Sequence, residues 1–260
     1  RSTVQALAKG LRILEAFSAD RREMTLSEIA AATGLDPGTT FRMLNTLVKL
    51  GYVARVPGTR RFMLSLKVLD LGFHAIARTD LREIIRPILR SLVGEISEAA
   101  SFGVLDGADI LYIERVRAGL ARLGVDIRIG TTIPASVSAI GHSVLAFLPE
   151  GEVDRVLAAA PRRPTLPEAR VARNEILAAL DEVRRQGYAL RDSFLGNGLR
   201  VLAMPVLDAD GYPVGAISIT APAVRCPAEE FHALALGPVR AAAQSIARAL
   251  EASGSTSVTP

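Results

Sequence analysis

The chain has 260 residues, of which 49% are hydrophobic, and its formal net charge is +4. This length and apolar content suit one large or two modest folded domains and exclude an intrinsically disordered chain. No apolar run approaches the roughly 18 to 20 residues needed to cross a bilayer, and no signal-peptide pattern opens the sequence. The single cysteine, Cys226, has no second cysteine for an internal disulfide. We therefore expect a cytoplasmic protein with no membrane partner.

The segment TLSEIAAATGLDPGTTFRML, residues 25–44, contains two helical patterns separated by a glycine and an Asp-Pro pair. Thr25 and Glu28 have the spacing of a capping box, which predicts a first helix over about residues 26–33. Gly34 can adopt the left-handed conformation that ends a helix, and the Asp-Pro pair suits the start of another. Two short helices joined by a tight turn predict a helix-turn-helix, whose second helix enters the DNA major groove. An ordinary helical hairpin is the alternative.

The second helix has a face of apolar residues, and we predict that this face is packed. It comprises Phe41, Leu44, Leu47 and Val48. The other residues of this helix, largely polar, are then expected to face outward, where they can contact DNA.

A β-hairpin is predicted directly after the second helix. β-favouring residues flank Pro57-Gly58-Thr59, which indicates a strand, a turn and a strand, the pattern of a wing. We expect Arg55, Arg60 and Arg61 at its tip, where they can reach phosphates or a minor groove. The full set of predicted DNA-binding residues is Thr25, Ser27, Asp36, Thr39, Thr40, Arg42, Met43, Asn45, Thr46, Arg55, Arg60 and Arg61.

Positive charge is concentrated at the beginning of the chain. Residues 1–67 contain eleven Lys and Arg but only five Asp and Glu, so the remainder of the chain is mildly acidic. This asymmetry indicates that double-stranded DNA binds the N-terminal part alone, although solvated surface charge is the alternative interpretation.

The rest of the sequence predicts an α+β domain with a mainly antiparallel sheet, because helical patterns alternate with hairpin signals. A helix over 67–77 is apolar on several sides, so we expect it to meet a partner chain. The further predicted helices are residues 79–96, 136–148, 167–186 and 229–251. The predicted strands are residues 101–105, 110–116, 123–129, 201–207 and 214–220.

The order of these segments resembles an IclR-family bacterial transcription regulator over some 250 positions. The resemblance rests on VQALAKGLRILEAF, on TLSEIAAATGLDPGTTFRMLNTLVKLGYV, on RRFMLSLKVLDLG, and on later segments such as IGTTIPASVSAIGHSVLAFLP and GLRVLAMPVLDADGYPVGAISITAP. It implies a winged helix-turn-helix domain (residues 1–66), a linker helix (67–79) and a GAF-like effector-binding and oligomerisation domain (80–252). The small polar residues of the end of the chain, residues 253–260, predict a disordered tail.

The same resemblance implies a pocket for a small organic effector. The family's pocket positions correspond to Val125, Ala139, Ile140, Asp192, Val201, Ser218 and Thr220, although each is equally compatible with a plain core role. Ser218 and Thr220 lie two apart on a predicted strand and so face the same side. The chain departs from the family at Leu190-Arg191, where members often carry an acidic pair, and at Val201, where many carry cysteine. Because Arg122, Arg128 and Arg191 lie near these elements, we expect an anionic effector, a small organic acid, although plain surface arginines are the alternative interpretation.

Alternatives remain for the C-terminal domain. It could serve only for oligomerisation, or it could convert a metabolite. The three histidines, His74, His142 and His232, are isolated in sequence, and no spacing brings an acid, a base and a nucleophile together, so we expect no enzyme, no metal site and no cofactor. We expect a dimer or a dimer of dimers that binds a pseudo-palindromic operator.

Overall fold

The computed structural model describes residues 3–18, 20–76, 81–94, 97–118, 127–162, 171–195 and 198–252. The chain forms two compact units, Arg1–Arg78 and Thr79–Pro260. The helices are α1 (Gln5–Glu15), α2 (Leu26–Thr33), α3 (Pro37–Lys49), α4 (Lys67–Ile76), α5 (Leu81–Ser91), α6 (Ala139–Leu145), α7 (Glu150–Ala158), α8 (Arg173–Gln186) and α9 (Ala228–Ala252). The strands are β1 (Glu23–Thr25), β2 (Val53–Arg55), β3 (Arg61–Leu64), β4 (Ala99–Asp106), β5 (Asp109–Arg117), β6 (Thr132–Pro134), β7 (Ala189–Asp192), β8 (Leu199–Leu207) and β9 (Pro213–Pro222).

The helix-turn-helix prediction is confirmed at its caps. Thr25 and Glu28 form the reciprocal capping box of α2, with the Glu28 backbone N–H donating to Thr25 Oγ1 at 3.3 Å. Gly34 ends α2 with a φ of 65°, in the left-handed region where a side chain would strain the backbone. Asp36 then caps α3 by accepting from the backbone N–H of Thr39 at 2.8 Å. The turn is therefore fixed by local chemistry.

The first unit also contains a small antiparallel sheet with the strand order β1-β3-β2. The pairing of β2 with β3 confirms the predicted wing hairpin, whereas β1, which also pairs with β3, was not predicted. The sheet and three helices share one apolar core. Its fully or nearly fully buried members include Ile13, Met24, Ile29, Leu44, Val53 and Phe62.

The prediction of the packed face of α3 is wrong at its N-terminal end. Phe41, expected to be packed, is 49% exposed, whereas Thr40, expected to face outward, is fully buried. Thr39 is also buried. The Thr40 hydroxyl donates to the Asp36 carbonyl at 2.9 Å, so its polarity is satisfied within the first turn of the helix. Leu44 and Leu47 are buried as predicted.

The second unit is built on a six-stranded antiparallel sheet with the order β6-β5-β4-β9-β8-β7. Helices α6 and α8 lie on one face, and α5 and α9 lie on the other. This arrangement confirms the predicted α+β class with a mainly antiparallel sheet. A β-bulge between Phe102 and Gly103 shifts the pairing of β4 with β5, so that Ser101 lies opposite Arg115 and Gly103 lies opposite Tyr112.

Several predicted boundaries in this unit are wrong. Residues 127–129 are not in a strand, although they belong to the third strand predicted, and the rest of that strand, residues 123–126, lies outside the described residues. The edge strand β6 follows instead and pairs with β5. Helix α6 begins three residues later than expected because Ser138 caps it by accepting from the backbone N–H of Gly141. Helix α8 begins at Arg173, later than the predicted start, and α7 and β7 were not predicted. The predicted tail, residues 253–260, also lies outside the described residues.

The beginning of α6 lies unusually close to the chain before it. A Cβ added at Gly141 would lie 2.1 Å from the Ala135 carbonyl oxygen, a distance that real Cβ atoms do not tolerate. Glycine at this position therefore lets α6 press against the Ala135 backbone, which positions Ala139 and Ile140 on the inner face of the sheet.

Candidate functional site

The outer surface of α3 carries a set of mostly polar side chains that DNA can reach. Arg42 and Thr46 are exposed, Asn45 and Met43 are half-buried, and Ser27 is exposed at the start of α2. Arg42 Nη2 donates to Thr39 Oγ1 at 3.0 Å, so Thr39 supports Arg42. Thr40 is removed from the predicted DNA-binding set because its side chain is enclosed in the protein core.

Helix α3 and the wing are joined by a side-chain contact. Arg55 Nη2 donates to Asn45 Oδ1 at 2.9 Å, and the Arg55 guanidinium lies over the Phe62 ring at 5.0 Å from its centroid. Because Phe62 is in the core, this contact fixes the direction of an exposed cation next to the outer face of α3. Arg55 therefore belongs to the surface of α3 rather than to the wing tip, where it was predicted.

Two adjacent arginines of the wing have different environments. Arg61 Nη1 donates to the Glu23 carbonyl at 3.0 Å and to Glu28 Oε2 at 3.3 Å, so it points back toward β1 and α2. The expectation that Arg61 is at the tip is therefore wrong. Arg60 is exposed, and no hydrogen bond or ion pair engages its side chain within the described part of the chain. Arg60 is thus the cation at the wing tip that can meet a phosphate without giving up a partner in the protein.

The remaining predicted contacts are engaged in capping. The backbone N–H of Thr25 donates to Glu28 at 2.7 Å and is the largest cause of the lowered pKa of Glu28. The side-chain contact with Thr39 is the largest cause of the lowered pKa of Asp36. Thr25 and Asp36 thus shape the turn that presents α3. A substitution at either residue would therefore disturb this turn as well as any contact with DNA.

A pocket lies between the sheet and α6 in the second unit. Its cavity has a volume of about 50 Å³. It is lined by Tyr112, Arg115, Ile127, Ile133, Ser138, Ala139, Ile140, Asp192, Ser193, Phe194, Leu195, Leu199, Val201, Ser218 and Thr220. Six of the predicted effector residues are therefore brought together, namely Ala139, Ile140, Asp192, Val201, Ser218 and Thr220.

The sheet supplies a polar floor to this pocket. Arg115, Ser101 and Ser218 lie side by side on β5, β4 and β9, because Ser101 is the register partner of both other residues. Arg115 Nη1 donates to Ser101 Oγ at 2.7 Å. Thr220 lies opposite Val201 on β8, which continues the floor toward apolar residues. Alternation on β9 was predicted correctly, since Ser218 and Thr220 line the pocket and Ile217 and Ile219 are in the core behind it.

Two titratable residues beside this floor are shifted by their surroundings. Burial lowers the pKa of Arg115 and raises the pKa of Tyr112 to about 12. Tyr112 is therefore a neutral phenol at pH 7, and Arg115 is a guanidinium cation because arginine stays protonated in proteins. Asp192 is not a free anion, because Arg200 Nε and Nη2 donate to its two carboxylate oxygens at 2.8 and 3.3 Å.

Some predicted residues lie elsewhere. Arg122 and Val125 fall outside the described residues. Arg128 uses its backbone N–H to donate to Thr131 Oγ1 at 3.0 Å and is not among the described residues that line the pocket. Arg191 also lies outside this lining, and its charge acts on His142. Arg115 was missed because sequence alternation alone did not indicate which face of β5 it occupies.

His142 has a structural environment. It is buried, and its Nε2 lies 2.7 Å from the Ser136 carbonyl oxygen. Burial is the main cause that lowers the pKa of His142 to about 4, with a smaller effect from Arg191. The described residues contain no cluster of three or more His, Cys, Asp or Glu that could hold a metal ion. Among the helices described, none has the length and apolar character to span a membrane.

Comparison with known proteins agrees with both units. The profile of the IclR helix-turn-helix domain matches residues 6–57, and that of the C-terminal domain of the bacterial transcriptional regulator IclR matches residues 73–248. The Pca regulon regulatory protein of Pseudomonas putida is 31% identical over 83% of this chain and 73% of its own length. The transcriptional repressor IclR of Escherichia coli is 30% identical over 85% of this chain and 81% of its own.

Solved structures share the fold. A transcriptional regulator from Rhodococcus sp. RHA1 superposes with a TM-score of 0.79 at 36% identity, covering 96% of this chain and 99% of its own. An IclR homologue from Microbacterium hydrocarbonoxydans, solved with 4-hydroxybenzoate, gives 0.77 at 24% identity, covering 95% and 100%. With profile matches to both units and relatives of this similarity, the chain belongs to the IclR family of bacterial transcriptional regulators.

Proposed function

We propose that the protein is a cytoplasmic, sequence-specific DNA-binding regulator whose operator affinity is set by a small anionic metabolite in its second unit. The observation that carries the proposal is the pocket between α6 and the sheet, since it gathers apolar walls, hydroxyls and a cation in a unit separate from the helix-turn-helix. Neither catalysis nor a resident cofactor is part of the proposal.

The DNA contact is assigned to α3 and the wing. Arg42, Asn45 and Thr46 have the side chains that read base edges in a major groove, and Arg42 is the candidate for a guanine. Arg55 lies beside them, hydrogen-bonded to Asn45. Arg60 at the wing tip contacts a phosphate of the DNA backbone. Base readout and backbone contact are therefore divided between two elements.

Two apolar surfaces support self-association. Val4, Leu7 and Leu11 are exposed at helical spacing on α1 and just before it. At the start of the linker helix α4, Leu66, Leu69 and Leu71 are likewise exposed. Exposed apolar side chains grouped in this way mark surfaces that a partner covers. We propose that a second copy covers them, so that two recognition helices meet successive major grooves about 34 Å apart. A dimer of dimers is the larger assembly proposed.

The ligand acts through a difference in affinity between two states of the protein. If the acid binds more tightly to one arrangement of the paired DNA-binding units, it shifts the population toward that arrangement and changes operator affinity. Repression and activation use the same contacts, so the proposal concerns the coupling and not its sign.

The test begins with operator fragments selected from genomic DNA by purified protein at about 0.15 M salt, near physiological ionic strength. A fluorescence titration then measures their affinity with and without organic acids, 4-hydroxybenzoate among them because the Microbacterium homologue holds it. An acid that changes operator affinity while being recovered unchanged supports the proposal. Selective DNA binding that no acid alters would favour a second unit that only oligomerises, and consumption of the acid would favour an enzyme.

A further inference from the structure

We propose that Arg115 is the residue that binds the ligand's charged group, and that the ligand is a compact monocarboxylate. This inference rests on the proposed function and gives the pocket a ligand class. No sequence pattern pointed to Arg115, which reaches the pocket through the pairing of β5 with β4.

Arg115 has hydrogen-bonding capacity that the described protein does not use. One Nη donates to Ser101, whereas the buried Nε has no hydrogen-bond partner in the described part of the chain. Nη2 likewise makes no hydrogen bond in the described part of the chain, and because Arg115 is only partly buried, its guanidinium keeps a donor for a ligand in the pocket. A carboxylate fits this site because its two oxygens accept side by side from the planar guanidinium.

The hydroxyls of Ser218 and Thr220 are the second part of the site. Both residues are buried and line the cavity, yet within the described residues neither hydroxyl makes a hydrogen bond. Ser218 is two strands from Arg115, with Ser101 between them. A ligand whose carboxylate meets Arg115 can therefore place a polar substituent on these hydroxyls, while its body contacts Ile140 and Val201.

The charged residues of the described pocket lining favour a ligand with a single negative charge. Among the described lining residues only Arg115 and Asp192 carry formal charge, and Asp192 is paired with Arg200 from outside the lining. A monocarboxylate neutralises Arg115. A dicarboxylate would leave its second charge among apolar walls or near Asp192, which costs free energy. We therefore expect discrimination against dicarboxylates and against neutral amides of the same shape.

The test compares matched probes by calorimetry on the full chain. Benzoate, 4-hydroxybenzoate and pyruvate are the monocarboxylates, benzamide is the neutral counterpart, and terephthalate is the dicarboxylate. At least one monocarboxylate should bind at least tenfold more tightly than the other two classes, and Arg115→Gln should weaken its binding at least tenfold. Arg115→Lys keeps the charge but loses the planar fork, so an intermediate affinity is expected. Ser218→Ala should weaken the hydroxylated acid more than benzoate.

Arg155→Gln is the control, because Arg155 is an exposed cation on α7 and its replacement changes the net charge equally. It should leave acid binding unchanged. Circular dichroism melts establish that each variant is folded, and Arg115→Lys carries the test if Arg115→Gln does not fold. A preference for benzamide or terephthalate, equal binding to wild type and Arg115→Gln, or no binding of any monocarboxylate would overturn the assignment. Operator binding that other metabolites alter would then still support the proposed function.

Discussion

Glu114 and Arg115 are neighbours on β5 and act on opposite faces of the sheet. Glu114 is fully buried beneath α5, where its Oε2 accepts from Arg82 Nε at 3.0 Å. Arg115 points the other way, into the pocket, and its backbone N–H donates to Glu114 Oε1 at 2.9 Å. A single strand therefore connects the pocket floor with α5, the helix that follows the linker segment.

We expect Glu114→Gln to lower the free energy of unfolding by about 1 to 3 kcal/mol, because a buried acceptor of charged donors is lost while Arg82 remains partly solvated. Urea denaturation measures this change. Glu83 is an exposed carboxylate on α5, the helix that carries Arg82, so Glu83→Gln is the control and should have little effect. An equal response of the two variants would show that the buried pair contributes nothing specific.

Arg42→Ala should reduce the preference for operator over random DNA. If Arg42 donates to a guanine, the discrimination lost is about 1 to 3 kcal/mol. Competition titrations with operator and scrambled duplexes measure the ratio. An unchanged ratio would exclude base readout by Arg42.

Arg60→Ala should instead weaken operator and random DNA alike, because a phosphate contact carries no sequence information. If Arg60 neutralises one phosphate, the slope of log affinity against log salt should become shallower by about 0.9 in the variant. Arg240→Ala removes an exposed cation from α9 and is the control, expected to leave the slope unchanged. A steep salt dependence retained by Arg60→Ala would place the phosphate contact elsewhere.

His142 predicts an acid limb in the stability profile. Its pKa is about 4 in the folded protein, below the ordinary 6.5, so the unfolded chain binds more protons between these values. The stability contributed by neutral His142 is fully present above pH 6.5 and is lost progressively as the pH falls toward 4. His142→Gln should flatten the dependence of unfolding free energy on pH in this window. A wild-type profile that is already flat there would refute the buried neutral state.

Local chemistry explains why the helix-turn-helix was predictable. Thr25, Glu28, Gly34 and Asp36 act within four residues of the groups they satisfy, so their spacing alone determines the turn. The face of α3 was harder to predict at Thr40, because a hydroxyl that bonds its own helix can be buried as readily as an apolar group.

Only part of the pocket could be predicted from the sequence. Alternation placed Ser218 and Thr220 on one face of β9, and this was correct because that strand is regular there. The position of Arg115 in the pocket depends on the β-bulge at Phe102 and Gly103 and on which strand pairs with β5. The local sequence pattern does not predict such non-local pairing. The role of Asp192 likewise changed once its pairing with Arg200 was known.

Operator DNA and a small acid should be coupled through one protein, and reciprocal titration measures this coupling. Operator affinity is measured with and without a bound monocarboxylate, and acid affinity with and without saturating operator. Linkage requires the two affinities to change by the same factor, which we expect to be about 5 to 150. If each affinity is independent of the other ligand, the acid does not regulate DNA binding by this protein.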